Sequence, residues 1–323
     1  MRSEAQLLLL DRDAVDALLT PDEVMAAVHE AFVLHSRREG RVFPVIREPL
    51  SGGGVFGIKA GSVQQQDLLG FKAAGFWPGN RQSGGEPHQA TILLHDPATG
   101  RPRCVIDGNA ITTLRTGAAG ALGLQALARP DSRHLTVFGT GVQARAQLRF
   151  ALRALPGLCQ VRYVSASRLP DAAFESQFAN LCELQCATDA NAAVAQADVV
   201  ITATPGHGPL FDADAVRPGT PLNCVGADTR GKRELPEGVL RKARLFADDR
   251  PQALQLGELQ WAPETCCMEL GELLASSARF TRAASDITVF DMTGLALQDL
   301  TVAQSILHKA SAAGAGTRVA WPW

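Results

Sequence analysis

Residues 135–144 read Leu-Thr-Val-Phe-Gly-Thr-Gly-Val-Gln-Ala, an apolar run followed by the pattern G-x-G-x-x-A. The run predicts a buried strand, and residues 144–155 predict a helix. In such a unit Gly139 permits the tight turn, and Gly141 lets a phosphate approach the positive end of the helix. The pattern predicts a dinucleotide site, with a purely structural turn as the alternative. Its expected residues are Gly139, Thr140, Gly141, Val142 and Gln143.

The chain around this turn alternates between strand and helix patterns from about residue 132 onward. Helical patterns separate most of the expected strands, which is typical of an α/β protein with a Rossmann-type doubly wound parallel sheet. The strands we expect are 134–138, 160–164, 197–203, 221–225, 243–247 and 287–290.

The remaining sequence predicts a second domain of α+β character. Thr20 followed by Pro21 predicts the start of a helix over 21–38. Two apolar runs, 90–95 and 103–106, flank the turn at 96–100 and predict a hairpin. Helices are also expected over 111–128, which carries glycines at three-residue spacing, and over 295–312. We expect domains of 1–128 with 301–323 and of 129–300.

Composition excludes several classes of function. The 323 residues include 33 acids and 31 bases, giving a net charge of −2, which does not favour nucleic-acid binding. No apolar run approaches the roughly 18 residues that span a bilayer, and the apolar stretch within the first ten residues is too short for a secretory signal. A cytoplasmic protein without membrane partners is therefore expected. Seven cysteines without a Cys-x-x-Cys pair predict buried thiols and no metal site.

The residues that follow the second strand of the dinucleotide unit bear on the choice of cofactor. No Asp or Glu is available to bind an adenosine ribose, whereas Ser165, Ser167 and Arg168 suit a 2′-phosphate. NADP(H) is therefore favoured and NAD(H) stays possible; Arg168 as a solvated loop charge is the alternative. The next strand ends in Thr202, Ala203 and Thr204, which are expected to border the cofactor unless the hydroxyls only cap a turn.

Two sets of charged residues are candidates for chemistry. The sequence between residues 41 and 115 contains eight bases and five acids. Several of the bases lie inside apolar segments, where burial of a charge is costly without an anion. Any single base also fits a surface-facing side chain. Asp228 ends an apolar strand just after Val225, a further cofactor candidate. It is placed to bind a substrate nitrogen or relay a proton, and a structural cap is the alternative.

Together these segments resemble the ornithine cyclodeaminase and mu-crystallin family over nearly the whole chain. The resemblance implies a homodimer, an N-terminal substrate-binding and dimerisation domain completed by the last helix, and a Rossmann domain. Members include cyclodeaminases that use NAD catalytically, NAD(P)H-dependent imino acid reductases, alanine dehydrogenases and a hormone-binding crystallin. The stretches that carry it are 70–72, 96–100, 114–116, 139–144, 226–228, 231–235 and 289–300.

By the same resemblance, Arg47, Lys72 and Arg115 match positions that hold the substrate α-carboxylate, and Asp228 matches the acid beside the reacting nitrogen. Such contacts would present the substrate carbon to the nicotinamide for hydride transfer, and Lys72 would act near the imine. The chain departs from the cyclodeaminases at Lys59, where those enzymes have a Glu that can pair with the distal ammonium of ornithine. A cation at this position favours a distal carboxylate.

The sequence therefore predicts an NADP(H)-dependent oxidoreductase that reduces an α-imino acid or oxidises the L-amino acid. Lys59 suggests a dicarboxylic substrate such as iminosuccinate. One alternative is an ornithine cyclodeaminase that forms proline and ammonia with catalytic NAD. Another is a non-catalytic, NADPH-dependent binding protein of the mu-crystallin type.

Overall fold

The computed structural model describes residues 5–322 and divides them into two compact units. The first unit contains the described residues up to Arg115 and those from Leu295 onward, and the second contains Thr116–Gly294. The sequence placed these divisions at 128/129 and 300/301. They differ because the helix Gly108–Leu127 gives its first turns to the first unit and its remainder to the second.

The first unit contains one twisted, mostly antiparallel sheet. Its strands lie in the order β16-β1-β7-β6-β5-β4-β2, and β3 pairs with β4. Among the described residues of this sheet, only the β1–β7 pair is parallel. The expected hairpin is β6–β7, so that prediction is confirmed. The strands are β1 (Ala5–Leu10), β2 (Gly40–Val42), β3 (Ile46–Pro49), β4 (Val55–Val63), β5 (Leu68–Phe76), β6 (His88–His95), β7 (Pro102–Asp107) and β16 (Thr317–Trp321).

Helices cover one face of this sheet. Helix α2 begins with a capping box in which Thr20 and Glu23 satisfy each other's backbone N–H groups. Helix α10 lies against α2 and β5, and Leu297 and Leu300 fill the space over the glycines of β4 and β5. The helices of the unit are α1 (Arg12–Leu18), α2 (Pro21–Ser36), the start of α3 (Gly108–Leu127) and α10 (Ala296–Ala313).

The other face of the sheet is apolar and partly open. Alternate residues of a strand point to opposite faces, and the strand register places Leu9, Val105, Leu93 and Phe71 in one row across this face. Ile58 lies on the same face, two residues along β4 from the partner of Phe71. None of the five is among the buried residues, and Leu9 is 37% exposed. A row of this length in a single chain marks a surface that could be covered by another protein molecule.

The second unit is a doubly wound parallel sheet, as the sequence predicts. The order is β10-β9-β8-β11-β12-β15-β13-β14, and every pair is parallel. The central strands β11, β12 and β15 are buried throughout. The strands are β8 (His134–Phe138), β9 (Gln160–Val164), β10 (Glu183–Cys186), β11 (Val199–Thr202), β12 (Pro221–Cys224), β13 (Arg244–Ala247), β14 (Cys267–Glu269) and β15 (Thr288–Asp291).

All six expected strands of this sheet are present, and the sequence missed the two at its edges. β10 alternates exposed and half-buried residues, and β14 has only three residues, so neither produces the apolar run of a central strand. The remaining helices are α4 (Val142–Ala154), α5 (Ala172–Phe178), α6 (Ala190–Ala195), α7 (Glu237–Lys242), α8 (Arg250–Leu256) and α9 (Leu270–Leu274). Among the described residues, no helix has the length and apolar character of a membrane span.

Candidate active site

The glycine-rich turn joins β8 to α4 with the geometry that a phosphate cradle needs. Gly139 has φ 99°, and a Cβ there would lie 2.6 Å from the carbonyl oxygen of Ala203. Gly141 caps α4 without a side-chain hydrogen bond, and a Cβ at this position would project into open space. The first backbone N–H groups of α4 therefore face a gap that accepts an anion. These residues fit the pyrophosphate of a dinucleotide.

Ser165, Ser167 and Arg168 form the turn directly after β9. The Ser165 hydroxyl donates to the carbonyl of Leu169 at 2.7 Å, and the hydroxyl oxygens of Ser165 and Ser167 are 3.3 Å apart. Arg168 has φ 60° and an exposed side chain that donates to the carbonyl of Thr188. Two hydroxyls and one guanidinium thus stand together, with no Asp or Glu from 160 to 170.

Thr202, Ala203 and Thr204 leave β11 at the carboxyl edge of the parallel sheet. The N–H of Ala203 donates to Phe138 at 3.0 Å, directly before the glycine-rich turn, and the N–H of Val225 donates to Thr202 at 2.8 Å. Both threonine hydroxyls are directed to the buried carboxylate of Glu234. This segment and the glycine-rich turn therefore lie side by side, where a nucleotide binds in open α/β sheets.

Asp228 lies beyond the end of β12 and is partly exposed. Its carboxylate pairs with the ammonium of Lys232 at 2.7 Å and accepts a hydrogen bond from the Thr229 hydroxyl at 3.1 Å. Lys232 also donates to the carbonyl of Gly226 at 3.3 Å. The sequence reasoning left Lys232 without a role, and no periodicity predicts this pair because residues 228–232 lie in a turn outside any helix or strand.

Lys72 and Arg115 share one buried carboxylate in the first unit. Asp299 of α10 is fully buried and lies 2.8 Å from Lys72 and 3.1 Å from Arg115. Lys72 also donates to the hydroxyl of Thr112 at 3.2 Å, and Arg115 donates to Gln298 at 3.1 Å. Two cations against one acid leave a surplus positive charge in a dry setting, which favours binding of an anion.

Arg47 and Lys59 lie on the same face of the sheet as Lys72. Lys59 and Lys72 are direct partners on β4 and β5, and Arg47 is opposite Gly57, two residues from Lys59. The structure therefore brings four of the expected bases into one unit: Lys72 and Arg115 around Asp299, Lys59 beside Lys72, and Arg47 one strand further out.

Electrostatics set the protonation of this cluster. Burial, together with the neighbouring Arg115 and Lys59, lowers the pKa of Lys72 to about 7, although Asp299 acts in the opposite direction. Burial raises the pKa of Asp299, but attraction to Lys72 and Arg115 outweighs it, and the pKa lies below its usual value. An ionised Asp299 thus faces a lysine that can exchange a proton near neutral pH.

The family model for the ornithine cyclodeaminase/mu-crystallin family matches residues 6–314. The chain belongs to this family. It is 32% identical to an iminosuccinate reductase of Paracoccus denitrificans over 97% of this chain and 99% of that protein. It is 31% identical to the mouse ketimine reductase mu-crystallin over 78% of this chain and 80% of that protein.

Solved structures of this family share the fold over nearly the whole chain. An archaeal alanine dehydrogenase dimer with bound NAD has a TM-score of 0.90 at 31% identity, covering 98% of this chain and 99% of its own. The Paracoccus iminosuccinate reductase in complex with NAD+ has a TM-score of 0.88 at 31% identity with the same coverage. A lysine cyclodeaminase has a TM-score of 0.88 at 30% identity, covering 98% of this chain and 96% of its own.

Proposed function

We propose that this protein is an NAD(P)H-dependent imino acid reductase that forms an L-amino acid, or catalyses the reverse oxidation. The observation that carries the proposal is the buried cluster of Lys72, Arg115 and Asp299, whose surplus positive charge matches a substrate carboxylate. Similarity to an iminosuccinate reductase and to a ketimine reductase supports the same reaction class. The bound nicotinamide would supply the hydride that reduces the imine carbon.

The side chains of the first unit would bind and orient the substrate. Arg47, Lys72 and Arg115 hold the α-carboxylate, since charge-assisted hydrogen bonds from fixed cations determine its orientation. A bound carboxylate also favours the protonated form of Lys72, whose pKa of about 7 leaves it only partly charged without a ligand. Lys72 would then have a proton to donate at the substrate nitrogen.

Asp228 is the second group that manages the nitrogen. Its pair with Lys232 keeps a carboxylate at the edge of the sheet, where it accepts a hydrogen bond from the substrate N–H. One hydride on carbon and one proton on nitrogen complete the conversion of C=N to CH–NH. In the reverse reaction the nitrogen would give this proton back to Lys72.

NADPH is the nicotinamide cofactor that we propose in preference to NADH. The cofactor would lie on the glycine-rich turn and beside 202–204 and Val225. Ser165, Ser167 and Arg168 provide donors without a competing carboxylate, which suits a 2′-phosphate. The alanine dehydrogenase and iminosuccinate reductase structures contain NAD, so the two cofactors must be compared directly.

Lys59 would select a substrate with a second carboxylate, such as iminosuccinate. It stands one strand from Lys72 on the same sheet face, so both ends of a short dicarboxylate meet a cation. The same cation would repel the distal ammonium of ornithine. This charge argues against an ornithine cyclodeaminase.

A homodimer would cover the open apolar face of the first unit. The row through Leu9, Leu93 and Phe71 offers a surface that is complementary to itself in a two-fold dimer. The alanine dehydrogenase similar to this chain forms a dimer. Light scattering on the purified protein should give twice the chain mass of 34.3 kDa, and Leu93→Asp should give monomers. A cytoplasmic location follows only from the sequence expectation.

One assay tests the proposed activity. The protein is incubated with NADPH or NADH and with imines formed from keto acids and ammonia, oxaloacetate among them, and separately with ornithine and catalytic NAD. Cofactor oxidation together with amino acid formation supports the reductase. Proline formed from ornithine without net cofactor use would identify a cyclodeaminase. Cofactor binding without either product would indicate a binding protein of the mu-crystallin type.

A further inference from the structure

Four hydrogen-bond donors converge on the carboxylate of Glu234 at the carboxyl edge of the parallel sheet. One oxygen accepts from the N–H and the hydroxyl of Thr204, each at 2.7 Å. The other accepts from the Thr202 hydroxyl at 2.7 Å and from the N–H of Gly226 at 2.8 Å. Glu234 is completely buried. A single side chain therefore connects the segment after β11 with the segment after β12.

Gly226 is shaped for this contact. A Cβ at Gly226 would lie 2.5 Å from the Glu234 carboxyl carbon and 2.2 Å from the carbonyl oxygen of Thr204. Real Cβ atoms do not approach so closely, so the absence of a side chain lets the carboxylate reach the backbone. The contact between Gly226 and the Glu234 carboxylate therefore requires a glycine in the turn between β12 and Asp228.

The position of Gly226 is passed on to Asp228. Gly226 donates its N–H to Glu234, and its carbonyl accepts from Lys232, whose ammonium pairs with Asp228 at 2.7 Å. A shift of Gly226 would move the carbonyl that holds the Lys232 ammonium, and with it the cation that pairs with the Asp228 carboxylate. The order of contacts is therefore Glu234, Gly226, Lys232 and Asp228.

The backbone of Glu234 is held from the other side by Glu258. One oxygen of Glu258 accepts from the N–H of Glu234 at 2.6 Å and from that of Leu235 at 3.3 Å. Glu258 is itself fully buried, in the short helical turn Glu258–Trp261 that follows α8. Because main chain and carboxylate are both fixed, Glu234 acts as a rigid brace between two loops.

We propose that Glu234 is a positioning residue that fixes the segment 202–204 and the segment 226–228 relative to each other. The inference rests on the proposed function for what the two segments do, namely to border the nicotinamide and to hold the acid at the substrate nitrogen. Glu234 acts through them and contacts neither ligand. Its loss should therefore lower the rate of the chemical step more than it weakens substrate binding.

Glu234→Gln is the decisive variant because it preserves the volume of the side chain. Each carboxylate oxygen accepts from one backbone N–H, of Thr204 or of Gly226. Whichever way the amide turns, its NH2 group meets one of these N–H groups, and that loop must move away. A displacement of about 1 Å costs on the order of 100-fold in rate. We expect kcat to fall by about this factor while KM for the imine changes little.

Glu234→Asp tests whether the length of the side chain matters when its charge is kept. Aspartate keeps the charge and the acceptors but is one methylene shorter, so it can retain the contacts to only one of the two loops. We expect both the kcat and the affinity for the cofactor to lie between those of Glu234→Gln and those of the wild type. This variant also carries the test if Glu234→Gln fails to fold.

Asp198→Asn is the matched control, since it disturbs a similar carboxylate at the opposite edge of the same sheet. Asp198 precedes β11 and accepts from the N–H groups of Arg133 and His134, both at 3.0 Å, and from Arg129 at 2.7 Å. It is distant from the glycine-rich turn along β8. We expect a lower Tm in this variant, with kcat within about 2-fold of the wild type at temperatures well below Tm.

The experiment measures kcat and KM for an imine, the Kd of NADPH and NADH by fluorescence, and Tm, for all three variants. Equal kcat in Glu234→Gln and Asp198→Asn would overturn the inference, because Glu234 would then only stabilise the fold. If the wild type reduces no imine, the proposed function fails, and the cofactor Kd still decides about Glu234. In that case a weaker Kd confined to the Glu234 variants supports the brace, and equal values in all variants reject it.

Discussion

Lys72 and Asp299 form a buried ion pair of 2.8 Å between strand β5 and helix α10, across 227 positions of sequence. The same carboxylate lies 3.1 Å from Arg115. One acid therefore orients two cations and compensates for only one of them. The remaining charge is available to a substrate carboxylate, and the attraction of Asp299 helps Lys72 to keep its proton.

Asp299→Asn should move the pH dependence of the reaction. Asp299 favours the charged form of Lys72, so removal of its charge should lower the pKa of Lys72 below about 7. The loss of activity on the alkaline side, where Lys72 gives up its proton, should then begin at lower pH. The profile of kcat/KM against pH measures this shift. Thr112→Val, which removes a neutral acceptor of Lys72 and no charge, should give a smaller shift, and a shift to higher pH in Asp299→Asn would contradict the assignment.

Lys72→Met should abolish most of the activity and leave the fold intact. Proton donation by a positioned side chain contributes about 10²–10⁴-fold, and Asp299 stays paired with Arg115 in the variant. We expect kcat to fall by this order with an unchanged Kd for the cofactor. Lys72→Arg is the informative companion: it keeps a cation for the carboxylate but does not exchange protons near neutral pH, so KM should be preserved and kcat lost. A fully active Lys72→Met would remove Lys72 from the mechanism.

The sequence was sufficient to predict the cofactor side of the molecule. The glycine-rich turn lies between a strand and a helix as expected, because this local unit is determined by residues that are close in the chain. The six strands between the two edges of the sheet were predicted for the same reason, since a buried parallel strand is an apolar run. The edge strands β10 and β14 lack such a run, and they could be found only from their pairing with β9 and β13.

The acids that organise the site could not be found in this way. Glu234 follows Lys232 and Arg233, and Asp299 is one of several polar residues in the long helix α10. In the sequence, both acids resemble solvated charges. Their burial arises from contacts with distant residues, as when Asp299 meets Lys72. The spacing of apolar and polar residues along the chain does not predict a contact between residues so far apart. The bases were selected by family resemblance, whereas their shared carboxylate required the structure.

Lys59→Glu should change the choice of substrate. A carboxylate at this position would pair with Lys72 across the two strands and would repel a distal carboxylate. We expect kcat/KM for a dicarboxylic imine to fall at least about 10-fold more than for a monocarboxylic imine, which corresponds to about 1.4 kcal/mol. Competition assays with the imines of oxaloacetate and pyruvate measure the ratio. Equal losses for both would show that Lys59 does not contact the second carboxylate.

Arg168→Asn should weaken NADPH and spare NADH. Arg168 has φ 60°, a conformation that asparagine adopts readily, so the turn after β9 should be retained. Loss of one charge-assisted contact with a 2′-phosphate is expected to raise KM for NADPH about 10-fold. Ser167→Ala should have a smaller effect in the same direction. An equal change for both cofactors would indicate a general effect on the turn.

Glu258→Gln should make the stability of the protein less sensitive to alkaline pH. Burial raises the pKa of Glu258 to about 8, far above the value of an unfolded Glu, and Glu234 contributes to the rise. The folded protein therefore binds a proton that the unfolded chain has released, so its stability falls as pH rises from the unfolded pKa through about 8. Glutamine retains the oxygen that accepts from the N–H groups of Glu234 and Leu235 and removes the ionisation. Urea unfolding at pH 6 and pH 9 should show a loss on the order of 2–3 kcal/mol in the wild type and a smaller one in the variant. An equal loss in both proteins would mean that Glu258 does not titrate in this range.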